Sequence, residues 1–393
     1  MYKQVGTPAL LSRWAVVGVI FFLCAPWLLP SNKVYHQLLA ALLWLPALWS
    51  LGYAAFRSQL ACPDFWMYLA LAGWTMLVLF VRGGDEPVSD LKVVFYVTLS
   101  LLGFLLAAKA EEALIERLLL WGALLGGVGA GLSWLNFYGL EQNPLSSRLV
   151  ALGIWDTVIM AAHAVGALAV VGLALVVGRP WRHVWLLPAG VAALGYLGFL
   201  LSSQTRGVWL ALLASLMVIL IRVPRRVGLT VLLCLLLAAA AVAIYDVQLL
   251  LQRGFSYRPA LWAGGLQLMA ENTWLGLGFH EFKLAVPGHQ NQYKHPHNLF
   301  IDTGVRIGVV GLLLFCGLWL LCLWRAWEAR GLALGRALLA LWLFATVSLM
   351  TDGIGLWHKP NADWLITWLP IALGLVLAQR RSTMPRPKLE SHL

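Results

Sequence analysis

Residues 308–324 read GVVGLLLFCGLWLLCLW, seventeen positions without a charge, with Arg306 just before them and Arg325 directly after. A hydrocarbon core about 30 Å thick takes roughly 20 apolar residues in helical form, and an α-helix is one of only two structures that satisfy their own backbone there. The stretch reads as a membrane span, and the pattern repeats outward from it. Apolar stretches fall at 14–29, 38–56, 65–81, 91–108, 118–135, 157–177, 184–201, 207–221, 227–245, 308–324, 337–350 and 364–378. The chain is 61% hydrophobic and 11% charged, with a mean hydropathy of +0.80. It therefore reads as an all-α polytopic integral membrane protein of about twelve transmembrane helices, one domain over 1–393.

Charge asymmetry supports that count. With both termini cytoplasmic, the inner segments hold 17 of the 28 Lys and Arg and 6 of the 17 Asp and Glu, so the formal net charge of +11 sits on one face. This is the positive-inside pattern. A pI near 9.7 is thereby explained by topology, and no nucleic-acid partner is expected. Cys24, Cys234, Cys316 and Cys322 lie in apolar spans and Cys62 on the inner side, so no disulfide framework is expected. The first span reads as a retained signal anchor, because Ala25-Pro26-Trp27 is a poor cleavage site. The basic tail from Arg380 reads as disordered and attracted to anionic inner-membrane lipids.

One large outer loop, 246–307, interrupts the spans. In it, Arg258-Pro259 suits the first turn of a helix of about three turns that ends at Glu271-Asn272-Thr273. Trp274-Leu275-Gly276-Leu277-Gly278-Phe279 alternates bulk with glycine, which favours a tight turn and close backbone approach. The chain then re-enters helix at His297-Asn298 and runs into the span at 308–324. Immediately before that point, Lys294-His295-Pro296-His297-Asn298 packs titratable groups into the longest polar interval of the chain. Polar groups beside a membrane are costly and are retained for function.

Three elements resemble the O-antigen ligase and polymerase superfamily of bacterial inner-membrane glycan transferases. They are the run from Ser203 through Gln204, Thr205, Arg206 and Gly207 to Leu210; the Arg258-to-Trp262 helix start with the Trp274-to-Phe279 turn; and His295-Pro296-His297-Asn298 followed by Gly308 and Gly311. The resemblance covers about 200–311, all on one membrane face. It implies transfer of a glycan from undecaprenyl pyrophosphate to a hydroxyl on the periplasmic side of the inner membrane, without a cofactor. An O-antigen ligase with a lipid A-core acceptor is the expected activity; polymerase, protein O-oligosaccharyltransferase and, from another class, flippase are the alternatives. The sequence departs from the family at Arg306, where an acidic residue is common; Asp302, one turn earlier, is the nearest substitute.

Such a reaction needs a stabilised departing pyrophosphate and an activated hydroxyl. Arg206 and Arg258 are the expected pyrophosphate ligands, since a guanidinium stays charged and binds phosphate oxygens as a planar fork. Arg253 is a further candidate, though an arginine beside a span often only snorkels to headgroups. Neutral imidazole accepts a proton near its reference pKa of about 6.5, which makes His297 the expected catalytic group. His295 is its rival, because periodicity does not separate two histidines flanking a proline. Asn298 reads as either a helix cap or a residue that fixes a neighbouring side chain, Gln204 as part of the Arg206 motif, and Trp262 as either a sugar-stacking ring or a staple for the loop helix.

A zinc site built from His280, His289, His295 and His297 is the competing reading, but their spacing fits no two-histidine motif and no cysteine is near. Asp85, Glu86 and Asp90 read as a solvated turn rather than a magnesium site. Asp352 and Lys359, on the outer side after the span at 337–350, have no spacing that ties them to the motifs.

Overall fold

The computed structural model describes residues 8–383 apart from 112, 156, 178–182, 222, 224–225, 227–228, 230–256 and 289–291. Helix dominates. In chain order the elements are α1 (Ala9–Cys24), α2 (Asn32–Ser50), α3 (Ala54–Leu60), α4 (Pro63–Arg82), α5 (Pro87–Ala107), α6 (Leu114–Leu140), α7 (Val158–Val176), α8 (Leu186–Ser202), α9 (Arg206–Leu220) and α10 (Arg258–Glu271). A two-stranded antiparallel ribbon follows, β1 (Leu284–Ala285) with β2 (Gln292–Tyr293), then α11 (Leu299–Glu328), α12 (Ala333–Asp352) and α13 (Trp364–Thr383). Among the described residues, eight helices are long and apolar enough to cross a membrane, α2 with α3 makes a bent candidate, and α9 and α13 are shorter apolar helices. Arg253 and the stretch at 227–245, apart from Leu229, lie outside the described residues.

Three local features differ from the sequence reading. The stretch at 38–56 is not one straight span: α2 begins earlier, at a Ser31 cap, and the chain turns by 98° into α3. The stretch at 337–350 lengthens to the twenty residues of α12, because Ala333 to Arg336 and Thr351-Asp352 join it. The helix entering at Asn298 is broken at Ile307 and Gly308, where Gly308 takes φ +70°.

Small residues bring the helices together. A Cβ on Gly195 of α8 would stand 2.0 Å from the Gly127 carbonyl of α6, and one on Gly166 of α7 would strike the Phe344 ring of α12. Close backbone approach of this kind drives association where lipid is as apolar as the side chains. α13 is buried around its whole circumference, with Trp364 and Trp368 in the core, so it is an inner helix. Phe80 is 89% exposed and Leu194 and Met217 are also exposed, an outward apolar surface that suits acyl chains.

α11 is tied to α4 at its break and near its C-terminal end. Arg325 gives Asp64 two hydrogen bonds, at 2.9 and 2.7 Å, and the Trp74 indole donates to the Ile307 carbonyl at 2.8 Å. The broken ladder at 305–309 is repaired by the glycine-rich turn: Leu277 donates to Val305, Gly278 to Arg306 and Val309 to Thr273, at 2.8, 2.9 and 2.7 Å. A buried backbone group left open would cost as much as a lost hydrogen bond, so the turn and the break require each other. Phe279 in turn bonds Gly83 between α4 and α5. The loop that carries the histidines is thus braced against two helix junctions.

Candidate functional site

His297 lies between Pro296 and the α11 cap with φ +53°, a left-handed conformation uncommon for a residue with a side chain. Asn298 holds it there. The Asn298 side-chain oxygen accepts from the Phe300 and Ile301 amides at 3.0 and 3.2 Å, which starts α11 and fixes the direction from which His297 projects. Backbone strain kept in place by its surroundings is common at functional sites.

His297 Nδ1 donates to Asp352 Oδ1 at 2.5 Å, and Arg258 reaches Asp352 Oδ2 at 3.4 Å. Asp352 is the buried last residue of α12, so an apolar helix long enough to cross a membrane presents a carboxylate to two residues of the segment between α9 and α11. The carboxylate accepts only, which leaves the other ring nitrogen of His297, Nε2, to accept a proton. Arg258 opens α10 with Pro259 behind it, as the sequence suggests.

Arg206 opens α9 and is half-buried. Its neighbour Gly207 packs so closely on α12 that an added Cβ would be 2.6 Å from Thr351 Oγ1, one residue before Asp352. The α9 start therefore adjoins the His297–Asp352–Arg258 group. The turn into it also holds a left-handed residue, Gln204 at φ +50°, whose amide donates to the Ser146 carbonyl. Arg148 fastens the same turn through the Ser203 carbonyl at 3.0 Å and Thr205 Oγ1 at 3.2 Å.

His295 is placed differently from His297. Its ring lies 4.1 Å from that of His297, and its Nδ1 is enclosed without a partner. Burial, followed by the charge of His297, lowers its pKa to about 4. Trp262 is half-buried in α10 with its indole nitrogen enclosed and unpartnered, whereas Trp209 of α9 spends its nitrogen on the Leu200 carbonyl and Trp274 is exposed. Asp302 is fully buried and paired with Arg306 itself, 3.0 Å from Nε to Oδ2, so the departure at Arg306 is neutralised one turn back on the same helix.

His280 stands apart from the other histidines. It bonds Asp85 Oδ1 at 2.9 Å and the Arg82 carbonyl at 3.1 Å, and the Glu281 amide adds a bond to Asp85 Oδ2. These bonds raise its pKa, the Asp85 bond first. Among the described residues no three His, Cys, Asp or Glu side chains are gathered as metal ligands, and His289 is outside them.

Sequence reasoning named Asp352 without connecting it to the histidine motif. The available signal was an acid closing an otherwise apolar run, a position where a membrane protein seldom leaves a carboxylate without a role. Arg148 carried no comparable signal.

Residues 191–316, which contain Arg206, Arg258 and His297, match the family described as O-antigen ligase. The chain is also 29% identical over 375 residues to an O-antigen ligase of Pseudomonas aeruginosa strain PAO1, an alignment that covers 93% of this chain and 91% of that one. The chain is thus similar to an O-antigen ligase over most of its length, and the family match covers the segment in which the two arginines and the histidine lie.

Proposed function

We propose that the protein transfers O-antigen polysaccharide from undecaprenyl pyrophosphate to a sugar hydroxyl of lipid A-core at the periplasmic face of the inner membrane. The observation that carries this reading is the His297–Asp352–Arg258 group, which joins a proton acceptor to a phosphate ligand through one carboxylate. The acceptor hydroxyl oxygen attacks the anomeric carbon while the bond from that carbon to the pyrophosphate oxygen breaks. His297 Nε2 takes the hydroxyl proton, and Asp352 holds the ring in the required tautomer and stabilises the imidazolium. Arg206 and Arg258 stabilise the departing pyrophosphate as paired forks, a role that calls for no metal ion.

The topology that serves this chemistry has about twelve spans, both termini cytoplasmic, and 246–307 as the large periplasmic loop of a single polytopic domain. The positive-inside distribution supports it, since the inner segments hold the whole net charge.

The test supplies purified protein in nanodiscs with polyprenyl-pyrophosphate glycan, with and without lipid A-core, and no energy source. Product joined to core and dependent on it is expected. Lengthening of the lipid-linked donor without core would replace ligase by polymerase, and the absence of any new covalent product would remove the enzyme reading in favour of a flippase.

A further inference from the structure

A cavity of about 660 Å³ opens on the side of His295, lined by that residue but not by Arg206, Arg258, His297 or Asp352. Its volume is within the range of small-molecule sites. Most of its charged groups are already matched: Asp85 holds His280 and the Glu281 amide, Glu281 holds Lys294 at 3.0 Å, and Glu86 faces Lys359 at 3.9 Å. Two remain open.

Arg306 uses Nε on Asp302 and lies over the Phe282 ring at 5.3 Å, which orients the guanidinium, yet its two terminal nitrogens have no acceptor among the described residues. Across the wall, the half-buried side chain of Asp90 has no hydrogen-bond donor there either. A position in the first turn of α5 accounts for an acid at Asp90 through the helix dipole, but not for its sharing a cavity with an open arginine fork. Behind the wall, the buried Asp302 keeps its Oδ1 without a partner.

We propose that this cavity is a subsite for an uncharged sugar of the acceptor glycan, in which the Arg306 fork donates to two ring oxygens and the Asp90 carboxylate accepts from neighbouring hydroxyls. The assignment to acceptor rests on the transferase reading, because the arginines expected to hold the donor pyrophosphate lie outside the cavity. Charge decides against a phosphorylated sugar. Asp85, Glu86, Asp90 and Glu281 on the wall outnumber Lys294, Arg306 and Lys359, and the partner of Arg306 is itself an acid, so an added anion meets repulsion while hydroxyls find both donors and acceptors.

Two measurements test this. The first titrates an uncharged core oligosaccharide, and the same compound phosphorylated on its terminal sugar, into the full protein in nanodiscs without donor, following tryptophan fluorescence. The second measures KM for each acceptor and for the donor. The uncharged compound is expected to bind at least tenfold more tightly than the phosphorylated one. Asp90→Asn should raise its Kd and KM about tenfold, the size of a lost hydrogen bond to a charged group, with kcat and donor KM within about twofold. Arg306→Lys, which keeps a cation beside Asp302 but loses the fork, should act in the same direction. Preference for the phosphorylated compound, or normal acceptor KM in both variants, overturns the assignment. Binding weakened by Asp90→Asn in a protein that forms no core-dependent product supports the sugar subsite and removes the ligase reading alone.

Discussion

Asp352 accepts a 2.5 Å hydrogen bond from His297, fifty-five residues earlier in the chain, and its second oxygen faces Arg258 at 3.4 Å. The end of α12 thereby sets the orientation of a group just before α11. Remove the carboxylate and the imidazole loses both its tautomer and its direction. Asp352→Asn and His297→Ala should each lower transfer by roughly 10² to 10⁴, and the double variant should lose little more, because the two act as one unit. His295→Ala should do much less. Single-turnover assays on protein of verified fold measure this; additive losses in the double variant would separate the two roles.

Lysine keeps the charge of Arg206 or Arg258 but not the planar fork. Both Lys variants are expected to be strongly impaired, with chelators leaving the wild type active. Recovery of a chelator-inactivated enzyme on adding magnesium or zinc would give the pyrophosphate to a metal.

His295 is expected to stay neutral at neutral pH. Its folded pKa of about 4, set by burial and then by His297, lies below the ordinary value of 6.5. Between these values the unfolded chain binds the extra proton, so this contribution to stability is complete above about pH 6.5 and is lost as pH falls toward 4. Thermal melts of wild type and His295→Gln should converge on acidification; parallel curves would mean that His295 titrates normally.

The His280 tie to Asp85 has the opposite sign. Bonds to Asp85 and to the Arg82 carbonyl raise its folded pKa, so its contribution is full below the unfolded value near 6.5 and disappears as pH rises through the folded one. His280→Ala should increase protease nicking of the loop at mildly acidic pH more than at pH 9, as read by limited proteolysis in nanodiscs.

Gly308 has φ +70°, and a Cβ there would lie 2.1 Å from the Trp274 carbonyl. Gly308→Ala is expected to cost about 1–3 kcal/mol and to part the turn from the helix break, lowering the detergent melting temperature and transfer together. A variant with unchanged melting would show that the break tolerates a side chain.

The membrane class, most of the helices and the Arg206, Arg258 and His297 motifs were legible in the sequence. Apolar runs are local, Pro259 and Asn298 mark helix starts by their own chemistry, and glycines at 276 and 278 announce a close backbone approach. What approaches those glycines was not legible, because the carbonyls of Val305 and Arg306 become available only where α11 breaks. The different placement of His295 and His297 was equally closed to periodicity: His297, in a left-handed turn, bonds Asp352, while His295 keeps an enclosed Nδ1 without a partner. Asp352 joined the site only in three dimensions. Its partner lies across a loop and two helices, and a hydrogen bond between distant residues depends on how α12 packs on α9 and α11, which a one-dimensional pattern does not contain.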